Sequence, residues 1–350
     1  MPVFRFSNAV SDISKFIQTY RVLFNELREA QSFTHDDAAK VLINYGLVSS
    51  QGAIGEEALR RSTREDRSRD PLYNQHKMYS EIYRMLGWYV PAGSRTQFRM
   101  SEFGEYIYES RGKIERELFQ LNVIHIVSPN PLVDVKSGNV LRPIPLIIRL
   151  MSKLGFIHRD EIIYAVLSLE NDRDEDVFER TVDMIKYSRK TNSKNTQIDL
   201  LVEKNKISRN TLQNYTRFPL ATLRYLGLAD KEWINGVYGD GKELFYVATE
   251  KAIKLARELN QSIDIRHSEL SNYSINERAS FYYFAIMLQL QKIGFQMDKE
   301  TKENYDRSII LSDKIIKDNN VDLEKGGLLF FPYQESPSHE MLLMDKLFDS

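Results

Sequence analysis

Six basic side chains fall within eighteen residues: Arg60, Arg61, Arg64, Arg67, Arg69 and Lys77. Guanidinium groups at that density can each meet a phosphate, and arginine can also pair with the guanine edge in the major groove. The competing reading is a solvated helix face laced with Glu65, Asp66 and Asp70. A second cluster, "KISRNTLQNYTR", places Ser208, Arg209, Asn210, Gln213, Asn214 and Arg217 around a helix start. Arginine, asparagine and glutamine together exceed what capping requires and match guanine and adenine edges. Arg189, Lys190 and Lys194 precede this cluster and add positive charge. Two apolar-flanked turns supply hairpin-tip candidates: Ser94, Arg95, Gln97 and Arg99 in one, Tyr238 and Lys242 in the other.

Catalytic patterns are sparse. Asp134-Val135-Lys136 has the acid-x-lysine form of a Mg²⁺-dependent nuclease, with Glu115 or Glu117 as the upstream acid. Three residues of this kind also arise by chance, and these sit among prolines. The six histidines show no metal-ligand spacing, and no phosphate loop, serine elbow or dinucleotide fingerprint is present. The absence of cysteine excludes disulfides, thiolate zinc sites and a cysteine nucleophile, and fits a cytoplasmic protein. No apolar run reaches membrane-spanning length, so a membrane partner is not expected.

The elements that must position the basic clusters repeat along the chain. Residues 72–112 and 211–258 each run an apolar-periodic helix into Leu-Gly (Leu86-Gly87, Leu226-Gly227). A short strand, a polar turn and a second strand follow. A new helix then opens at a capping residue, Ser101 or Thr249. Helix, hairpin, helix at this size is the back half of a winged helix. Upstream, periodicity predicts a helix over 9–30. Thr34 caps a short helix that Gly46 ends, and Ser49 or Ser50 precedes a second one through Ala58 and Leu59, a helix-turn-helix pattern. Further helices are expected at 113–126, 144–156, 159–170, from the acidic run at 170–179 through Ile185, at 276–294 and at 300–318. "SRKTNSKNTQ" reads as an exposed loop, and Tyr and Phe at 277–288 read as core.

The chain's net charge of −1 conceals a polarised distribution. Residues 60–99 hold nine Lys/Arg and four Asp/Glu, residues 189–224 eight and two, and residues 296–350 seven and twelve. A phosphate backbone responds to local potential, so the two basic stretches favour nucleic acid despite the near-neutral total.

Three segments carry a family resemblance: "SPNPLVDVKSGNVLRPIPLIIRLMSKLGF" (128–156), "TLQNYTRFPLATLRYLGL" (211–228) and "LFFPYQESP" (329–337). With the order of elements, they resemble type IIS restriction endonucleases, in particular the AlwI family and FokI-like winged-helix recognition domains. The resemblance implies an N-terminal region that reads an asymmetric DNA site and a separate C-terminal PD-(D/E)xK domain that cuts with Mg²⁺. It places that nuclease beyond residue 350, so it assigns catalytic carboxylates to no position here. It also explains Asp134 and Lys136 as linker residues.

The sequence therefore predicts a mainly α-helical fold with small β-hairpins, built from tandem winged-helix subdomains joined by a linker. The expected divisions are 1–112 for the N-terminal helices and first subdomain, 113–190 for a proline-containing linker and helical segment, 191–260 for the second subdomain, and 261–350 for C-terminal helices and tail. The expected function is sequence-specific recognition of double-stranded DNA in a type IIS restriction or nicking system. DNA binding itself needs no cofactor. Mg²⁺ belongs to an associated nuclease domain or subunit, docked through the C-terminal region. The alternatives are a compact Mg²⁺-dependent endonuclease using Asp134, Lys136 and Glu117, and a winged-helix regulator of transcription or replication.

Overall fold

The computed structural model describes residues 3–7, 10–47, 49–50, 53–54, 57, 60, 71–128, 130, 140–321 and 329–330. The fold is mainly helical, with small sheets. Helix α1 (Ile13–Leu27) buries Ile13, Phe16, Ile17, Tyr20, Leu23 and Phe24 along one stripe, as the periodicity requires, and Asp12 caps its start. Strand β1 (Phe33–Thr34) leads into α2 (His35–Asn44), where Thr34 and Asp37 form a reciprocal capping box. In the polar stretch that follows, Ser49–Ser50 (β2) pairs antiparallel with Ala53–Ile54 (β3). That pairing holds the two serines extended, so neither is the first residue of a helix. The expected helix is present further along: Glu57 and Arg60 are helical, while Ala58 and Leu59 between them lie outside the described residues.

Helix α3 (Pro71–Met85) then feeds the hairpin of β4 (Tyr89–Ala92) and β5 (Ser94–Met100), followed by α4 (Glu102–Glu109) and α5 (Gly112–Ile124). The sheet order is β1-β5-β4. Its core is aromatic. Phe16 stacks on Tyr83 at 4.5 Å, Tyr20 lies 4.7 Å from Trp88, and the Trp88 indole donates to the buried Asn122 carboxamide at 2.6 Å. Gly104 is required by this packing: a Cβ there would lie 1.8 Å from the Tyr20 hydroxyl.

The same order of elements recurs. Helix α6 (Pro143–Leu154) ends at Gly155, whose φ is +80°. Strand β6 (Phe156–His158) runs into α7 (Arg159–Glu161), again through a capping box, here between His158 and Glu161. Helix α7 continues as a π-helical stretch, Ile162–Leu167. Three helices then intervene: α8 (Glu175–Thr191), α9 (Lys194–Asn205) and α10 (Arg209–Asn214). The segment expected as the loop "SRKTNSKNTQ" is almost wholly helical. Asn192 adopts φ +50°, and that left-handed residue lets α8 end and α9 restart after Ser193. Helix α11 (Arg217–Tyr225) leads into the hairpin of β7 (Ala229–Asn235) and β8 (Lys242–Ala248), then α12 (Glu250–Asn260). The second sheet has the order β6-β8-β7, the same first-third-second arrangement as the first.

Repetition extends to individual atoms. In the first unit Trp88 N–H donates to Tyr83 O at 2.8 Å, Ser101 N–H to Trp88 O, and Ser101 Oγ to Gly87 O. In the second, Leu228 N–H donates to Leu223 O at 2.8 Å, Thr249 N–H to Leu228 O, and Thr249 Oγ1 to Gly227 O. Gly87 and Gly227 both have positive φ, +73° and +67°, which the helix-ending hydrogen-bond pattern demands.

The remaining described elements are β9 (Ile263–Asp264), α13 (His267–Leu270), α14 (Ile275–Lys292), α15 (Lys299–Leu311), α16 (Asp313–Asp318) and β10 (Leu329–Phe330), which pairs parallel with β9. The helix expected over 300–318 is two helices parted at Ser312. Most buried apolar side chains among the described residues belong to one continuous core, with Phe218 of α11 packing against Phe6 and Phe16. Among the described residues, no helix is long and apolar enough to cross a membrane.

Candidate nucleic-acid interface

A groove of about 670 Å³ lies beside the second hairpin. One wall is α11, which presents Arg217, Leu220, Ala221 and Arg224 at helical spacing. Arg217 and Arg224 are seven residues apart, two turns, so both arginines share a face roughly 10 Å long. Ala221 between them leaves the helix surface low. The opposite wall comes from the hairpin, where Lys231 pairs across the sheet with Tyr246 and Trp233 with Leu244. Strand alternation puts these four on one face. Arg217, Arg224 and Lys231 are exposed, and no described carboxylate forms an ion pair with any of them. Lys231 Nζ lies 5.9 Å from the Tyr246 ring centroid. Burial raises the Tyr246 hydroxyl pKa, and the positive charge of Arg159 and Arg224 opposes that rise.

The floor is polar and ordered. Arg159 donates from Nε and Nη2 to Gln213 O and from Nε to Thr216 Oγ1, which ties the α10–α11 turn to the start of α7. Asp160 is 3% exposed, yet it lines the groove. Its Oδ1 accepts from Gln213 Nε2 at 3.2 Å and its Oδ2 from Arg209 at 3.3 Å. Arg209 also donates to Asn195 Oδ1 at 2.6 Å.

Beneath the hairpin a second polar knot fixes its position. Glu161, fully buried, accepts from Arg189 at 2.7 and 2.9 Å, from Tyr238 Oη at 2.5 Å and from His158 N–H at 2.6 Å. Lys194 binds Glu243 of β8 at 2.5 Å and lies 4.4 Å from the Tyr238 ring centroid. Burial, then the Glu161 charge, pushes the Tyr238 hydroxyl far above its ordinary value and holds Tyr164 up at about 12. Burial and neighbouring Lys194 lower the His158 pKa.

The sequence candidates divide accordingly. Gln213 and Arg217 line the groove, and Arg209 meets its floor through Asp160. Asn210 and Lys190 are exposed, Asn214 is half-buried, and Ser208 accepts from Thr211 N–H as the α10 cap. Arg189 and Tyr238 turn inward to Glu161, and Lys194 turns to Glu243 and the Tyr238 ring. For Arg189 and Tyr238 the buried Glu161 carboxylate outcompetes solvent for the side chain.

In the first unit Lys77 is exposed, Arg99 is half-buried, Arg95 contributes backbone to β5, and exposed Arg60 pairs with Glu57 at 3.4 Å. Arg61, Arg64, Arg67, Arg69, Asp134 and Lys136 lie outside the described residues. Glu117 pairs with Lys113 at 3.6 Å on the surface of α5. Among the described residues, no group of three or more His, Cys, Asp or Glu is placed to hold a metal ion.

Sequence reasoning missed Arg224, Lys231 and Asp160 as groove residues, and Trp233 on the hairpin face beside Lys231. The signals were present: the Arg-x-x-Leu-Ala-x-x-Arg spacing on α11, and the alternation of Lys231 and Trp233 with acidic Asp230 and Glu232 on β7.

No family model matches the sequence, and no curated protein matches it. Among solved structures the chain is similar to the restriction endonuclease FokI, at 13% identity and a TM-score of 0.40, over 89% of this chain and 61% of that one. It is likewise similar to FokI bound to DNA, at 13% identity and a TM-score of 0.39, over 89% and 60%. The chain spans about three-fifths of the length of those structures.

Proposed function

We propose that this chain reads double-stranded DNA as the target-recognition part of a type IIS restriction or nicking system, through two winged-helix subdomains. The observation that carries the reading is the groove between α11 and the second hairpin, lined by exposed Arg217, Arg224 and Lys231, with which no described carboxylate forms an ion pair. Unpaired cations on a helix face and an adjoining hairpin suit a duplex backbone. A helix running into a hairpin and then a further helix, with an upstream strand completing a first-third-second sheet, recurs in both units and supports the winged-helix assignment. On this reading the first subdomain occupies 1–112. The second reaches from α6 through α12, wider than 191–260, because β6 completes its sheet. Phosphate contacts from Arg217, Arg224 and Lys231 would set affinity, and Gln213, Asn210 and Asn214 would contribute sequence choice. Cleavage, with its Mg²⁺, is assigned to a nuclease domain or subunit that meets the C-terminal region.

Selection from a randomised duplex library in Ca²⁺, with the same pool assayed for cutting in Mg²⁺, tests this. The expected result is an enriched asymmetric site. A palindromic site would favour a dimeric regulator instead. Cutting that Lys136→Ala abolishes would favour the compact endonuclease. No enrichment would overturn the DNA-reading function altogether.

A further inference from the structure

We propose that Asp160 is a specificity-positioning residue, which fixes the orientation of the Gln213 carboxamide so that it selects adenine at one position of the bound site. The inference rests on the DNA-reading function of the groove and names how one side chain of that groove reads.

Asp160 is 3% exposed but faces the groove, and its two carboxylate oxygens are divided between Gln213 and Arg209. An ionised carboxylate only accepts, so the nitrogen of Gln213 must face it, and the reversed amide would set two acceptors against each other. That contact uses one of the two amide hydrogens. In the proposed arrangement Asp160 takes the N–H that points away from the carbonyl oxygen, so that oxygen and the N–H beside it form the edge offered to the groove. An acceptor beside a donor is the complement of adenine, whose N6 amino group donates and whose N7 accepts. A carboxamide free to rotate could present its two atoms in either order and so tolerate other bases.

The support for Asp160 is itself fixed. Its backbone N–H donates to His158 Nδ1 at 3.0 Å, and Arg159 grips the carbonyl of Gln213. Gln213 is therefore restrained at both main chain and side chain. Arg209, restrained between Asp160 and Asn195, occupies the other carboxylate oxygen. No other carboxylate lines the groove among the described residues. An acidic group on the floor of a phosphate-attracting groove opposes affinity, and orienting Gln213 and Arg209 gives it a role there.

The test repeats the duplex selection with the full chain and with Asp160→Asn, Asp160→Glu, Gln213→Ala and Asp160→Asn/Gln213→Ala. The wild-type chain is expected to enrich adenine at one position that Gln213→Ala relaxes by about tenfold or more. Asp160→Asn is expected to relax the same position, because asparagine can meet either face of the carboxamide, while Asp160→Glu retains the preference. The double variant should relax it no further than Gln213→Ala alone. Affinity lost equally across all sequences in Asp160→Asn, with the adenine preference intact, would overturn the proposal as a purely structural effect. Gln213→Ala alters a half-buried helix position, so it decides the matter whatever the stability of Asp160→Asn: unchanged preference in that protein also overturns it. A wild-type chain that enriches no sequence would instead refute the DNA-reading function itself.

Discussion

The hydroxyl of Thr249 donates to the carbonyl oxygen of Gly227 at 2.8 Å while accepting from Ala252 N–H. Ser101 makes the equivalent pair of bonds in the first unit, donating to Gly87 O at 2.6 Å and accepting from Gly104 N–H. One hydroxyl thus closes the end of the helix before each hairpin and opens the helix after it. Fourteen residues separate the partners in one unit and twenty-two in the other. The hairpin between can therefore vary in length while both of its ends stay pinned.

Ser101→Ala and Thr249→Ala should both destabilise the protein, Ser101→Ala more. Each loses a helix cap, about 1 kcal/mol. Ser101 is also buried, so its loss leaves the Gly87 carbonyl without that partner and brings the expected cost to about 2 kcal/mol. Urea unfolding checks this. Equal effects at the two positions would show that burial of the first cap contributes nothing.

Arg217→Gln and Arg224→Gln should each weaken binding to every duplex by a similar factor and leave base preference unchanged. If each arginine meets one phosphate, each substitution should reduce the magnitude of the log-affinity against log-salt slope by about 0.9. Salt titrations of the wild-type and variant chains on one fixed duplex measure it. An unaltered slope in both variants would remove α11 from the phosphate-contacting surface.

Local chemistry made much of this fold readable. Thr34, Ser101, Ser208 and Thr249 each cap a helix where their side chains announce one, and Gly87 and Gly227 end helices where only a positive φ suffices. Strands β1 and β6 were not legible, because two or three residues carry no alternation and are extended only through pairing with β5 and β8. His158 as a cap defies propensity, since its imidazole must be held neutral by burial to accept from Asp160 N–H. Three helices inserted between α7 and α11 separate β6 from its hairpin and hide the second repeat of topology. The groove was legible only in part for a related reason. Asp160, Gln213, Arg217 and Lys231 come from four elements, and only tertiary packing shows that Arg189 and Lys194 face the opposite way.

Trp233 should report binding directly. It is 62% exposed on the hairpin face that carries Lys231, whereas the only other tryptophan, Trp88, is fully buried. Duplex titration is expected to change the emission of the wild-type chain, and Trp233→Phe should abolish that change while retaining affinity. A signal that persists in Trp233→Phe would have to come from Trp88, meaning that binding reaches the aromatic core of the first unit.

Stability should fall as pH drops from about 6.5. The Nδ1 atoms of His35 and His76 are 3.0 Å apart in a buried site, so one ring must donate and the other accept, with both neutral. Burial, helped by the nearby charge of Arg84, lowers His35 to about 4, and burial holds His76 well below its ordinary value; His125 is also lowered to about 4, by burial and then Arg142. Above pH 6.5 folded and unfolded chains are both neutral at these rings, and the stabilising contribution is complete. Below it the unfolded chain takes up protons that the folded one refuses, so stability is lost down to about pH 4, where His35 and His125 protonate in the folded state too. Each imidazole contributes a loss of roughly 1.4 kcal/mol per pH unit across that window. Urea midpoints at pH 7.5, 6 and 5 should decline progressively, and a flat profile would show that these rings titrate normally in the folded chain.

Glu161→Gln should be the most damaging single change near the hairpin. The carboxylate is fully buried and satisfies Arg189, the Tyr238 hydroxyl and the His158 amide together. Substitution leaves the Arg189 guanidinium without its charge partner, and breaking a buried pair on one side costs about 3–5 kcal/mol. Tyr238 lies in the turn of the β7–β8 hairpin, so the loss should also free that turn before the whole chain unfolds. Hydrogen exchange is the discriminating measurement. Faster exchange of the β7–β8 amides in Glu161→Gln, with α3 and β5 protected as before, is expected if the knot positions the hairpin. Uniformly faster exchange across both units would mean that Glu161 supports the common core instead.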